Sequence, residues 1–399
     1  MHELHGQAWH VVACHFKRRK YSAEKKMVSS STATNAKRNF FAARTGIICA
    51  GALIGLLAGA LALLGNPVNM GVCVACFIRD IAGALGLHRA APVQYLRPEI
   101  PAFVLGSFLA ALTFGEFRAR GGSSPVIRFV LGGFAMIGAL VFLGCPWRAI
   151  LRLAGGDLNA VTGLVGLAIG IAIGVWFLKK GYTLGRSSAL KKTTGYIGPV
   201  IMLVLLIAAI VKPGFVLFST KGPGSLHASI LIATCAGLII GWVAQRSRFC
   251  TMGAFRDLFL MRDWHLMSGI IAFFAVVLVF NLAVSAFHVG FEAQSVAHSQ
   301  HLWNVLGMML AGLAFVLGGG CPGRQMFLSG EGDSDAFIFF AGMLTGAALA
   351  HNFLLAAAPD KIQDGVTVIG GPGINGMIAV ITGLVVCVII GFTMRERWN

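Results

Sequence analysis

Apolar residues run through this chain in blocks of about twenty, the length of a membrane-crossing helix, separated by short polar and basic connections. Ten blocks are long enough, or nearly so, to cross a hydrocarbon core: 46–64, 99–116, 126–144, 158–178, 196–217, 227–244, 268–287, 303–319, 336–357 and 375–394. Two further segments, 66–88 and 246–263, are too polar or too short to span and read as re-entrant or interfacial helices. The pattern predicts an all-α integral membrane protein of about ten transmembrane helices.

Composition sharpens that reading. Hydrophobic residues make up 57% of the chain and charged residues only 12%, about half the charged fraction of a soluble domain, so a bilayer must serve as solvent. The net charge of +17 would suggest nucleic acid in a soluble protein. Here the basic residues cluster between apolar spans, as in cytoplasmic membrane loops, and no nucleic-acid partner is expected. Counting ten spans puts the basic tail, Arg118/Arg120/Arg128, Lys179 to Lys192, Arg246 to Arg262, Arg324 and Arg395/Arg397 on one side. Both termini are therefore expected in the cytoplasm. Residues 1–45 form a polar, basic tail. Met27 stands where a Ser/Thr-rich stretch begins, so residues 1–26 read as either a leader or an overextended start.

Comparing the chain with itself reveals a duplication. Cys73-x5-Arg79-Asp80 matches Cys250-x5-Arg256-Asp257, and Gly144-Cys145-Pro146-Trp147-Arg148 matches Gly320-Cys321-Pro322-Gly323-Arg324. Gly156-Asp157 matches Gly332-Asp333, and Gly166 and Gly170 match Gly342 and Gly346. Five spans separate the first helix from its counterpart. An odd number inverts the second unit, so two inverted repeats related by an axis in the membrane plane are expected. The chain then divides into the tail 1–45, a first repeat 46–178, a linker 179–226 with an extra helix, a second repeat 227–357, and a C-terminal helix in 358–399.

The repeated motifs suggest their chemistry. Gly ends a helix well and Pro opens the next, so Cys145 and Cys321 are expected at the N-caps of half-helices, with the left-handed turn at the preceding glycine. Broken helices at membrane depth are tolerated where they line a cavity. A helix N-terminus attracts anions and favours thiolate, and Arg148 and Arg324 add full positive charge. The bland alternative is a kink with a buried thiol and an arginine anchor; two copies in register favour function. In Cys-x5-Arg-Asp, the Arg79–Asp80 and Arg256–Asp257 pairs read as staples, while Cys73 and Cys250 recur without structural need. Cys73-x2-Cys76 resembles a redox or metal pair only loosely. Arginine beside each thiol disfavours a metal site, and neither metal nor cofactor is expected. His351 lies inside a span, where it could line the pathway or bond a neighbouring helix. Cys49, Cys235 and Cys387 are expected as small buried hydrophobes.

Cation and polarizable sulfur together suit an anion that itself contains sulfur or selenium. At these motifs the sequence resembles the YeeE/YedE family of bacterial membrane proteins, over roughly residues 45–394. Arg246-Ser-Arg-Phe-Cys-Thr-Met-Gly-Ala-Phe-Arg-Asp257 and Gly319-Gly-Cys-Pro-Gly-Arg324 carry the resemblance. Gly144-Cys-Pro-Trp-Arg148 with Ala154-Gly-Gly-Asp157 is similar to its selenium-transporter branch. The resemblance implies an inner-membrane inverted-repeat fold, thiosulfate uptake, ion contact at Cys73, Cys145 and Cys321 with Cys250 as the remaining repeat thiol, and a TusA-like sulfur-carrier protein as partner. The expected substrate-contacting set is thus Cys73, Cys145, Cys250, Cys321, Arg148, Arg324, Arg79, Arg256 and His351. A permease is the first reading, and a membrane thiol enzyme handling sulfane sulfur or redox equivalents is the second.

Overall fold

The computed structural model describes residues 40–395 with the exception of Gly365. The basic tail up to residue 39 and Arg397 lie outside the described residues. Fourteen α-helices follow in order among the described residues: α1 Arg44–Leu63, α2 Val74–Ala84, α3 Glu99–Thr113, α4 Pro125–Val141, α5 Pro146–Ala154, α6 Asn159–Lys179, α7 Lys192–Val211, α8 Ile230–Ser247, α9 Thr251–Met261, α10 His265–Ala283, α11 His301–Gly318, α12 Pro322–Gly330, α13 Ser334–Asn352 and α14 Ile374–Thr393. All ten expected spans coincide with helices. Nine spans among the described residues are long and apolar enough to cross a membrane, and α3 is a shorter apolar helix. The protein is a multi-pass, all-α membrane protein. Strand is confined, among the described residues, to two short antiparallel ribbons, Arg120–Gly121 with Ser188–Ala189 and Lys361–Gln363 with Val366–Val368.

Four helices are half-length: α2, α5, α9 and α12. Each starts in the protein interior, where Cys73, Cys145, Cys250 and Cys321 are the respective N-caps. All four cysteines are buried.

The two halves pack by the same rules with partners exchanged. Helix α6 lies on α11 as α13 lies on α4, and α1 lies on α10 as α8 lies on α3. Glycines set the register, because they let one backbone touch another as in small-residue membrane interfaces. Gly166 and Gly170 of α6 meet the carbonyls of Val305 and Met309, while Gly342 and Gly346 of α13 meet those of Phe129 and Gly133. Gly51 and Gly55 of α1 meet Gly269 and Phe273 of α10, while Gly237 and Gly241 of α8 meet Glu99 and Phe103 of α3. The connections follow suit: Arg120 bridges to Asp333, and Gly290 bridges to Asp157. Helix α7 packs on α3, α12 and α13, and α14 packs mainly on α11 and α4.

Two expectations need correction. Cys49 of α1 and Cys235 of α8 are exposed on the outer surface, with only Cys387 buried as expected. The glycine-lined sides of α1 and α8 face protein, which turns these cysteines outward. Gly144 and Gly320 do not take the left-handed turn; Leu143 and Gly319, one residue earlier, do so at φ 66° and 86°. The glycines instead make room for arginine. A Cβ on Gly144 would stand 2.9 Å from Arg148 Cδ, and one on Gly320 3.3 Å from Arg324 Cβ.

Candidate functional site

The two repeated cysteine motifs of each half come together in space. Cys73 Sγ lies 3.7 Å from Cys145 Sγ, and Cys250 Sγ lies 3.6 Å from Cys321 Sγ. Residues about seventy positions apart in the chain are thus neighbours, and the same pairing occurs in both halves. The backbone N–H of Cys76 donates to Cys73 Sγ at 3.4 Å, and that of Gly253 donates to Cys250 Sγ at 3.2 Å. Each thiol pair therefore sits where two half-helices begin, at the positive ends of two helix dipoles, with first-turn N–H groups directed at sulfur. Cys76 points elsewhere: its thiol faces the Leu143 carbonyl at 3.9 Å.

The arginines differ in their surroundings. Arg148 is fully buried, and its guanidinium donates to the carbonyls of Leu143, Ser295 and Val296. No carboxylate among the described residues pairs with it. Arg324 lies 3.4 Å from Glu331, which also takes Arg248 at 3.0 Å and Arg120 at 3.4 Å. Arg79 and Arg97 both grip Asp80, at 2.7 and 2.8 Å, wholly inside the protein. Arg97 also donates to the carbonyls of Pro223 and Leu226, tying the inter-repeat linker to α2. Arg256 pairs with Asp257 at 2.8 Å but is about one-third exposed at 36%. The staple geometry exists in both halves, buried in one and near the surface in the other.

One cavity of about 380 Å³ has Leu143, two residues before Cys145, in its wall, although neither Cys73 nor Cys145 lines it. Arg79, Leu143, Val296, His351, Pro359 and Lys361 are among its lining residues. The His351 ring lies against His88, with centroids 4.5 Å apart, and His351 Nε2 is buried without a partner among the described residues. Arg79 and His351 thus share one cavity, with Arg148 immediately behind Leu143. Arg256 and Arg324 belong to the other half.

Several site features escaped the sequence. Glu331 neutralises Arg324, and its only advance signal was its place beside the repeated Gly332-Asp333. Arg152 and Asp157 form a buried pair at 2.6 Å, while the counterpart Asp333 takes Arg120 from the other half at 2.7 Å. Trp147 is buried among Phe103, Phe249, Phe273 and Phe327, with ring centroids 5.7 to 6.3 Å away.

Comparison with known proteins agrees with this architecture. The chain is 34% identical over 110 residues to a thiosulfate transporter TsuA from Spirochaeta thermophila, covering 28% of this chain and 32% of that protein. It is 28% identical over 125 residues to the TsuA of Escherichia coli, covering 31% of this chain and 35% of that protein. These alignments span about a third of each relative's length. The sulphur transport family model matches far more, residues 4–173 and 246–399. With its matching halves and paired cysteine motifs, the chain belongs to that sulphur transport family, the YeeE/YedE family.

Proposed function

We propose that this protein is a permease for a sulfur-bearing inorganic anion, thiosulfate first among them, rather than an enzyme. The observation that carries the reading is the pair of thiol pairs, each at the meeting point of two half-helix N-termini inside a membrane protein. Main-chain N–H groups and helix dipoles suit oxyanion oxygens. Thiols offer weak S–H donors and polarizable contact to a terminal sulfur. Chloride or phosphate would need no such thiols. The names of the TsuA relatives point to the same substrate.

In this reading the two repeats are inverted across the membrane and each contributes one thiol pair from its own side. The anion enters the cavity past Lys361, Arg79 and His351 and rests at Cys73 and Cys145, where Arg148 offsets its desolvation. It then passes to Cys250 and Cys321 and leaves beside Arg324 and Arg256. Transfer needs only hydrogen bonds and charge, and no covalent step is invoked. The basic connections favour a bacterial inner membrane with both termini cytoplasmic. Selenium oxyanions are alternative cargo, and a TusA-like sulfur carrier is a candidate receiver on the cytoplasmic side.

Uptake into proteoliposomes tests this directly, using labelled thiosulfate, sulfite, selenite and sulfate. Accumulation of thiosulfate, competed by the other sulfur anions according to size and charge, is expected. Label that is chemically turned over with none inside the vesicles would instead support the membrane thiol enzyme.

A further inference from the structure

The two halves share their motifs, but at one position they cannot share the residue. Trp147 and Gly323 stand at matching places in the repeated Gly-Cys-Pro-x-Arg motif. A Cβ on Gly323 would lie 3.3 Å from Trp147 Cζ2. A residue that touches its own counterpart must lie on the pseudo-twofold axis. The neighbours agree: Phe103 and Phe273 occupy matching positions on α3 and α10, and their rings stand 6.3 and 6.0 Å from that of Trp147. Space on the axis suits one large side chain: one half supplies the indole, and in the other half even an added Cβ would press on the ring at 3.3 Å.

The axis passes between the two thiol pairs, because each pair is the counterpart of the other. Trp147, two residues after Cys145 and packed on Phe249, the residue before Cys250, stands on that axis beside both pairs. Phe249 meets it edge-on at 5.7 Å, and Phe327 of α12 closes it at 6.1 Å. The indole is only 1% exposed. Its Nε1–H is buried and has no acceptor among the described residues. A buried donor left unpaired is costly, and in a close-packed aromatic box it marks a place where an acceptor arrives from elsewhere.

We propose that Trp147 is the central gate of the pathway: its ring seals one thiol pair from the other, and its indole N–H hydrogen-bonds the anion as it crosses. The inference rests on the transport reading for the identity of that acceptor, an oxyanion, but the seal follows from the packing alone. In this structure the gate is closed, with the cavity of Arg79 and His351 on one side. Passage requires the ring to leave the axis, which exposes its N–H to the anion.

A membrane-impermeant thiol reagent, added from the side of the Arg79 cavity and read by peptide mass spectrometry, tests the seal. In the parent, Cys73 and Cys145, buried next to the Leu143 wall of that cavity, should react slowly but ahead of Cys250 and Cys321, which stay shielded. Trp147→Gly should open Cys250 and Cys321 to the same reagent from the same side, and Trp147→Ala gives the same reading should the glycine variant fail to fold. Trp147→Phe should restore the shielding yet raise the thiosulfate KM about tenfold, the effect of losing one hydrogen bond to a charged group. Cys250 and Cys321 that stay shielded in a folded Gly or Ala variant would overturn the gate. An unchanged KM in the Phe variant would overturn the donor role. The labelling needs no transported substrate, so a parent that accumulates no anion would remove the transport reading while leaving the seal to be decided by the reagent.

Discussion

At the first helix break the chain turns through Leu143 at φ 66°, and at the second the matching turn falls to Gly319 at φ 86°. Glycine takes that conformation freely, whereas an L side chain is strained there by about 1–2 kcal/mol. The strained residue is the one whose carbonyl receives both the Arg148 guanidinium and the Cys76 thiol. The relaxed one has a charge network beside it, with Glu331 shared among Arg324, Arg248 and Arg120. The halves thus use one backbone design with different electrostatics. The first holds a buried cation with no carboxylate partner among the described residues, beside a cavity. The second neutralises its cation near the surface. An anion is therefore expected to bind more tightly in the first half and to be released from the second.

The largest test of that comparison is removal of the thiols. Cys145→Ala and Cys321→Ala should each reduce thiosulfate uptake to background while thermal melting stays close to the parent. A cap thiol adds little packing, so activity rather than stability should respond. Equal and full uptake by both variants would reduce the pairs to filler.

The staples should separate the halves by stability. Asp80 is wholly buried between Arg79 and Arg97, so Asp80→Asn leaves two buried guanidinium groups short of a partner and should cost about 3–5 kcal/mol. Asp257 meets a partly exposed Arg256, and Asp257→Asn should cost about 0–1 kcal/mol. Denaturant unfolding in detergent would compare them, and equal losses would erase the distinction.

The arginines should separate the halves by affinity. Arg148→Gln removes a cation with no carboxylate beside it and should weaken thiosulfate binding by about tenfold, the loss of one charge-assisted hydrogen bond. Arg324→Gln removes a cation already matched by Glu331, so its effect should be smaller. In both variants a dianion should suffer more than a monoanion of similar size. Lysine should rescue Arg148 only in part, because it lacks the planar fork that reaches several carbonyls at once.

The smallest expected effect is at the turn itself. Gly319→Ala places a side chain in the left-handed region and should lower stability by about 1 kcal/mol, read from the melting transition. A neutral result would mean that the second break relaxes to another turn.

Much of this architecture was legible because the membrane imposes it. A span must be apolar for about twenty residues, so all ten helices announced themselves. The half-helices were visible through Gly-Cys-Pro and through the repeated Cys-x5-Arg-Asp. What the sequence could not reveal was adjacency across the fold. Nothing local to Cys73 indicates that Cys145 will stand 3.7 Å away; that follows from how α2 and α5 enter the core. Glu331 was missed because two of the three cations it faces, Arg120 and Arg248, come from distant segments. The turn was misplaced by one residue because glycine serves two ends, conformation and space, and at Gly144 the demand is space for Arg148. Trp147 looked like a variable letter inside a motif. Its meaning emerges only when the repeat is folded and the position proves to lie on the axis.

Sided thiol accessibility in oriented vesicles bears most directly on the central claim, that two inverted halves offer one thiol pair each to a single anion pathway. An impermeant reagent should modify Cys145 from the side of the Arg79 cavity and Cys321 from the opposite side, with both reactions slowed by thiosulfate. Modification of both cysteines from one and the same side, indifferent to thiosulfate, would contradict it.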